Sequence, residues 1–286
     1  MYICFDTIDI ILGMTETISL ELDQIMYQLG QVGQRLAESG AAEGAAGNMS
    51  VCVRKPLDVS AHFPQMQMMD LPHPVPELAG MMLIVTGSGR RLRDVAEAPL
   101  ANLACVFVEA GGKSGKLFTS PQAQFKRVTS EFNSHLAVHH DRMRSSDVAI
   151  HAVIHAQPIH LTHLSHLTEY QNEKFLNQHL LRWQPETILN MPEGIGIIPY
   201  ILPGSAELVV ETKLSLREHQ IVVWARHGVM ARSDNSISHA SDLIEYAETA
   251  AHYETLNLLT DQKGGGLSPE EIREICKTWN VQQRIF

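Results

Sequence analysis

Apolar residues recur with helical spacing at Leu22, Ile25, Met26, Leu29, Val32 and Leu36, with Gly40 behind them. This predicts an amphipathic helix over 20–36 with a glycine stop. The pattern then changes period. Small and β-branched residues alternate over 47–54, and apolar runs at 81–86 and 103–111 read as buried strands, the second turning through Gly-Gly-Lys-Ser-Gly into 116–120. Between the first two lies a Pro-, Met- and His-rich segment (56–80) without periodicity, expected as a long loop.

Helical spacing returns over 130–144, and 147–157 reads as a strand closed by Pro158. Beyond it the expected order is a helix from 158, a helix at 172–182, strands at 187–191 and 194–200, a helix at 205–218, one strand at 220–229 and a long helix at 237–260. Three glycines at 264–266 end that helix. Ser268, Pro269 and Glu271 supply the cap, first-turn proline and box glutamate of a last one. No internal repeat occurs. Strands broken by hairpins and helices predict an α/β (α+β-like) single domain with a central mixed, largely antiparallel sheet flanked by helices.

Size and composition are consistent with that: 286 residues, 44% hydrophobic and 19% charged, suffice for one large core. With 32 acidic against 22 basic residues the formal charge is -10, which argues against nucleic acid or an anionic membrane as partner. Any bound phosphate is expected to be small and locally held. The four cysteines, Cys4, Cys52, Cys105 and Cys276, lie far apart without a Cys-x-x-Cys pair, which fits a reducing cytoplasm better than a disulfide framework. Residues 1–18 are expected as a disordered extension ahead of one domain at 19–286. The start of the chain lacks a basic region and carries Asp6 and Asp9, so it reads neither as a signal peptide nor as a membrane span, and Met14 is a second candidate start.

The 15 histidines change the picture further, because they cluster at 135–140 and again at 151–166. Neutral imidazole is a common ligand of first-row metals. Along the strand 147–157 side chains alternate, so His151, His155 and Gln157 share a face at a strand end. Polar residues on a solvated sheet face would look the same. Far downstream, a second apolar strand delivers His227 ahead of Gly228. Two strand-end imidazoles and a carboxylate can assemble a catalytic zinc site with an open position. The carboxylate candidate is Glu131, behind Thr129 and Ser130, which are expected to cap the following helix; an acidic residue there also complements a helix dipole without further function. Three small-residue loops, 44–50, 86–89 and 129–130, offer backbone N–H groups and hydroxyl or amide donors suited to a phosphate nest, although each alone is an ordinary turn.

In this order, Gly-Ala-Ala-Glu-Gly-Ala-Ala-Gly-Asn-Met-Ser (40–50), Ile-Val-Thr-Gly-Ser-Gly (84–89), Thr-Ser-Glu-Phe (129–132), Val-Ile-His-Ala-Gln-Pro (153–158) and Trp-Ala-Arg-His-Gly-Val (224–229) resemble the motifs of the class II aldolase and adducin family. The long segment before 86–89, the stretch 183–200 and the closing helix resemble its rhamnulose-phosphate branch, and the resemblance spans about residues 20–282. By this resemblance His155 and His227 match metal ligands, Glu131 a general base, and Asn48, Gly87, Ser88, Thr129 and Ser130 phosphate-holding positions. Glu186 matches a second carboxylate that reaches a neighbouring subunit's site. A Zn2+-dependent, cytoplasmic homotetramer that splits a ketose 1-phosphate into dihydroxyacetone phosphate and a short aldehyde such as L-lactaldehyde is what the resemblance implies. A sugar-phosphate dehydratase or epimerase and a non-catalytic adducin-like assembly module are the alternatives.

Two positions depart from the pattern. Ala45 stands where the branch has asparagine, and Gln157 where the family has the second histidine of its zinc motif. An amide oxygen is a harder, weaker donor to zinc than imidazole. Three readings stay open: Gln157 ligates and favours another divalent metal, His151 or His160 substitutes for it, or the site holds metal poorly. His160, His163 and His166 are also consistent with a polar helix face.

Overall fold

The computed structural model describes residues 21–286; the extension expected over 1–18 falls outside the described residues. The predicted first helix is present as α1 (Leu22–Glu38), whose apolar stripe is buried. Along the chain follow β1 (Asn48–Val53), β2 (Gln65–Asp70), β3 (Met82–Thr86), α2 (Pro99–Asn102), β4 (Leu103–Val108), β5 (Ser114–Thr119), α3 (Phe132–Ser145), β6 (Ile150–Ala156), α4 (Ile159–Leu164), α5 (Glu173–Leu180), α6 (Pro185–Asn190), β7 (Gly196–Ile198), α7 (Ala206–Glu218), β8 (Ile221–Trp224), β9 (Gly228–Ser233), α8 (Ile237–Leu259) and α9 (Pro269–Trp279). Among the described residues nine strands form one sheet, ordered β2-β5-β4-β3-β1-β6-β9-β8-β7. Every pairing is antiparallel except β7 with β8, so the sheet is mixed and largely antiparallel, and the fold is the expected single-domain α/β.

Both sheet faces are covered, and strand alternation decides which residue meets which cover. Met49, Val51, Ala152, Ile154, Ala156, Val223 and Val229 join the core beneath α1, α4, α5, α6 and α8. From the opposite face Cys52, Leu83 and Val106 pack against Phe132 and Leu136 of α3, while Val153, Val222, Trp224 and Met230 pack against Val138 of α3 and Leu208 and Leu216 of α7. Asn48 and Ser50 on β1, like His151 and His155 on β6, fall on that second face, under α3. Burial of both imidazoles replaces the solvated-face alternative.

Four expectations need correction. The segment 56–80 contains β2, which among the described residues is an edge strand paired only with β5; its Gln-Met-Gln-Met-Met sequence is mostly exposed and lacks the β-branched residues that signal strands. Residues 187–191 do not form a strand: Pro185 starts the short helix α6 instead. The strand expected at 220–229 is a hairpin, β8 and β9, folded at Ala225–His227, where Arg226 adopts a φ of 65°. Helix α3 begins at Phe132 with Glu131 itself in the N-cap position, uncapped by a side chain, so neither Thr129 nor Ser130 is the cap. The final helix carries the predicted capping box between Ser268 and Glu271.

Candidate active site

The ligand atoms of Glu131, His155 and His227 all lie within 4.8 Å of one another. Three elements bring them together. β6 delivers His155 one residue before its end, the β8–β9 turn delivers His227, and the α3 N-terminus delivers Glu131 over both. The register places His155 opposite Asn48 on one side and Met230 on the other. The close approach at the hairpin depends on Gly228: a Cβ there would lie 2.4 Å from the Ala156 carbonyl oxygen and 3.1 Å from His155 Cε1.

His155 is 2% exposed. Its Nδ1 lies 2.8 Å from the Val229 carbonyl oxygen, which can only accept, so the proton sits on Nδ1 and the Nε2 lone pair is free. That Nε2 lies 3.6 Å from Glu131 Oε2, and His227 Nε2 lies 3.6 Å from Glu131 Oε1. Ligand atoms about 2.1 Å from one tetrahedral ion stand about 3.4 Å apart, so this spacing fits a shared divalent cation. Trp224 stacks on His155 at 4.8 Å between ring centroids, its indole N–H donating to Thr212. Burial lowers the His227 pKa and the neighbouring His155 lowers it further, against Glu131. A neutral imidazole is the form that binds a metal.

The other anticipated residues divide by place. An antiparallel bridge between Gly87 and Val128 brings the 86–89 and 129–130 loops together. The N–H groups of Gly87, Ser88 and Thr129 donate to the carbonyls of Asn102, Arg127 and Thr86, so they are occupied rather than free for a nest. The hydroxyls of Ser88, Thr129 and Ser130 are the donors to consider there, Ser130 being exposed. Gln157 sits at the end of β6 with its N–H on the Ala41 carbonyl and its Cγ 3.0 Å from where a Cβ on residue 228 would be, beside the histidines. His151 and His160 stand outside the Glu131 group, bound to His139 and Glu248. Glu186 is exposed on the first turn of α6, also outside it.

Sequence reasoning missed what stands behind Glu131. Asn48 Nδ2 donates to Glu131 Oε2 (2.8 Å), and Asn48 Oδ1 lies 2.5 Å from His135 Nε2. Ser50 Oγ lies 2.6 Å from His135 Nδ1 and 2.7 Å from His139 Nε2, and His139 Nδ1 lies 2.8 Å from His151 Nδ1. The four-residue spacing of Glu131, His135 and His139, one face of a helix, was the signal available.

Residues 27–255 match the Class II Aldolase and Adducin N-terminal domain. The chain belongs to this family. It is 28% identical over 256 residues to a rhamnulose-1-phosphate aldolase of Bacteroides thetaiotaomicron, covering 89% of this chain and 93% of that one. It is 29% identical over 221 residues to one from Yersinia pestis, covering 77% and 79%. A sugar-phosphate aldolase from Thermotoga maritima superposes with a TM-score of 0.70 at 26% identity, over 85% of this chain and 98% of that one. An L-fuculose 1-phosphate aldolase shares the fold, with a TM-score of 0.55 at 18% identity, over 90% and 96%. Family and relatives support aldolase-type lyase activity in carbohydrate metabolism. The class II aldolases of this family depend on a divalent metal, for which Glu131, His155 and His227 are the potential site here. Among the described residues no helix is long and apolar enough to cross a membrane.

Proposed function

We propose that this protein is a cytoplasmic, homotetrameric class II aldolase that reversibly cleaves a ketose 1-phosphate of the L-rhamnulose 1-phosphate kind to dihydroxyacetone phosphate and a short aldehyde such as L-lactaldehyde. The observation that carries the reading is one carboxylate, Glu131, set 3.6 Å from each of two histidine Nε2 atoms. His155, His227 and the Gln157 amide oxygen would hold Zn2+ or another divalent metal, Gln157 being the reason to leave the metal open. Bound there, the cation supplies Lewis-acid stabilisation of the charge that develops on the ketone oxygen as the carbon–carbon bond breaks.

Glu131 moves a proton at the dihydroxyacetone carbon: it donates to that carbon after cleavage and removes the same proton in the synthetic direction. Glu186 of a neighbouring copy takes the proton of the hydroxyl that becomes the aldehyde. The Ser88, Thr129 and Ser130 hydroxyls line the phosphate end with Gly87 and with the second Nδ2 hydrogen of Asn48, the first being donated to Glu131. The test is release of dihydroxyacetone phosphate from L-rhamnulose 1-phosphate by protein as purified, after chelation, and after return of Zn2+, Mn2+ or Co2+. Cleavage that is lost on chelation and returns with metal is expected. Stoichiometric metal without cleavage would turn the reading toward a dehydratase or epimerase, and no metal uptake toward a non-catalytic module.

A further inference from the structure

Behind Glu131 five side chains, Asn48, His135, Ser50, His139 and His151, continue without a break into the core, and each is at most 8% exposed. Their hydrogen-bond directions follow from one end. A carboxylate only accepts, so Asn48 turns its NH2 to Glu131 and its oxygen to His135. His135 must then carry its proton on Nε2, which leaves Nδ1 to accept from the Ser50 hydroxyl. With its hydrogen spent, Ser50 accepts from His139 Nε2–H, and His139 Nδ1 accepts from His151 Nδ1–H. His151 Nε2 is left bare, and it is buried without a hydrogen-bond partner among the described residues. Burial drives the pKa of all three imidazoles well down, neighbouring imidazoles adding to it at His135 and His139 and Arg232 and Arg142 at His151, which keeps them neutral as this assignment requires.

We propose that Asn48, His135, Ser50, His139 and His151 are positioning residues for Glu131: a hydrogen-bonded series of single direction that pins Oε2 and leaves Oε1, the oxygen facing His227, as the one that exchanges the proton. The proposal rests on the reading of Glu131 as the proton-transfer group. Aligned donors polarise one another, so the last bond, onto Oε2, is stronger than an isolated amide contact. Reversing the series needs a donor at residue 131 and would move the hydrogen of His151 from Nδ1 to Nε2, with four side chains in between.

The full-length chain labelled with 15N-histidine, with and without added Zn2+, reports the tautomers directly by NMR. The expected result at neutral pH is Nε2–H for His135, Nε2–H for His139 and Nδ1–H for His151; any other tautomer or an imidazolium overturns the assignment. In Glu131→Gln the amide can accept or donate, so His151 is expected to show the Nε2–H form as well, and an unchanged His151 signature would mean that residue 131 does not set the direction. In Ser50→Ala, kcat on L-rhamnulose 1-phosphate is expected to fall about ten- to a hundredfold with KM and metal content unchanged, and Ser50→Thr to recover most of it. A kcat within about twofold of the parent, against that expected loss, overturns the positioning role. Should Ser50→Ala not fold, the Glu131→Gln tautomers decide alone. A parent without turnover would sink the aldolase reading, while the tautomers would still decide the series.

Discussion

His155 and His151 occupy one strand, four residues apart, on one face and under one helix, and both are buried. Their surroundings separate them. At His155 a carbonyl fixes the proton on Nδ1 and the free nitrogen faces a carboxylate, an arrangement with room for a cation between them. At His151 the partner is another imidazole, and among the described residues the second nitrogen has no hydrogen-bond partner. Residue type, strand and burial are therefore not what makes a metal ligand. The group across the gap is: opposite a carboxylate a neutral imidazole can complete a charged centre, whereas one hydrogen-bonded nitrogen to nitrogen with another imidazole passes a hydrogen bond along.

The largest expected effects break the His155 end. Glu131→Gln preserves shape and removes the proton acceptor, so turnover should fall by about a hundred- to ten-thousandfold while metal content, measured by elemental analysis, stays near the parent's. Metal lost in proportion to activity would make Glu131 an essential ligand first and a base second. His155→Ala, by contrast, should lose metal and activity together; a variant that keeps its metal would take His155 out of the centre.

The His151 end should show itself in stability against pH. His139 and His151 have folded pKa values pushed well below the ordinary one by burial, followed by coulombic repulsion from His151 at His139 and from Arg232 and Arg142 at His151. Below about pH 6.5, the ordinary histidine value, the unfolded chain therefore binds protons that the folded one refuses, and stability falls as pH falls, by up to about 1.4 kcal/mol per pH unit for each group. Urea midpoints measured from pH 7 to 5 should decline accordingly. His151→Leu removes one such group and should flatten the decline, at a cost of about 1–3 kcal/mol at pH 7 for the stranded His139 acceptor. Equal slopes for parent and variant would contradict the buried neutral assignment.

How legible these two ends were differs in the same way. The apolar stripe of α1 and the box of α9 are local patterns, and local patterns can be read. Strand β2 was hidden because an exposed edge needs no apolar residue, and the β8–β9 turn because its hinge is an arginine at positive φ where glycine would have signalled it. His155, His227 and Glu131 stood out by motif order, but their meeting depends on sheet register, which no single segment encodes. The occupied N–H groups at Gly87, Ser88 and Thr129 and the series from Asn48 to His151 depend on pairing between distant segments as well.

The smallest expected effect sharpens the comparison at the metal-motif position where chemistry and resemblance part. Gln157 follows His155 by two residues, and its Cγ, like His155 Cε1, would lie close to a Cβ placed on residue 228. Its backbone N–H is held by Ala41, so substituting the side chain leaves the strand end in place. If the amide oxygen is the third protein donor, Gln157→His exchanges a hard, weak donor for an imidazole better matched to zinc, and zinc affinity should rise on the order of tenfold, about 1.4 kcal/mol. The variant should then keep its zinc against a chelator that strips the parent, with the open position for substrate preserved. Turnover that drops without a gain in affinity would mean that another group already fills that position and the new ring crowds it. No change in either quantity would place residue 157 outside the metal shell, and the centre would then stand on Glu131, His155 and His227 alone.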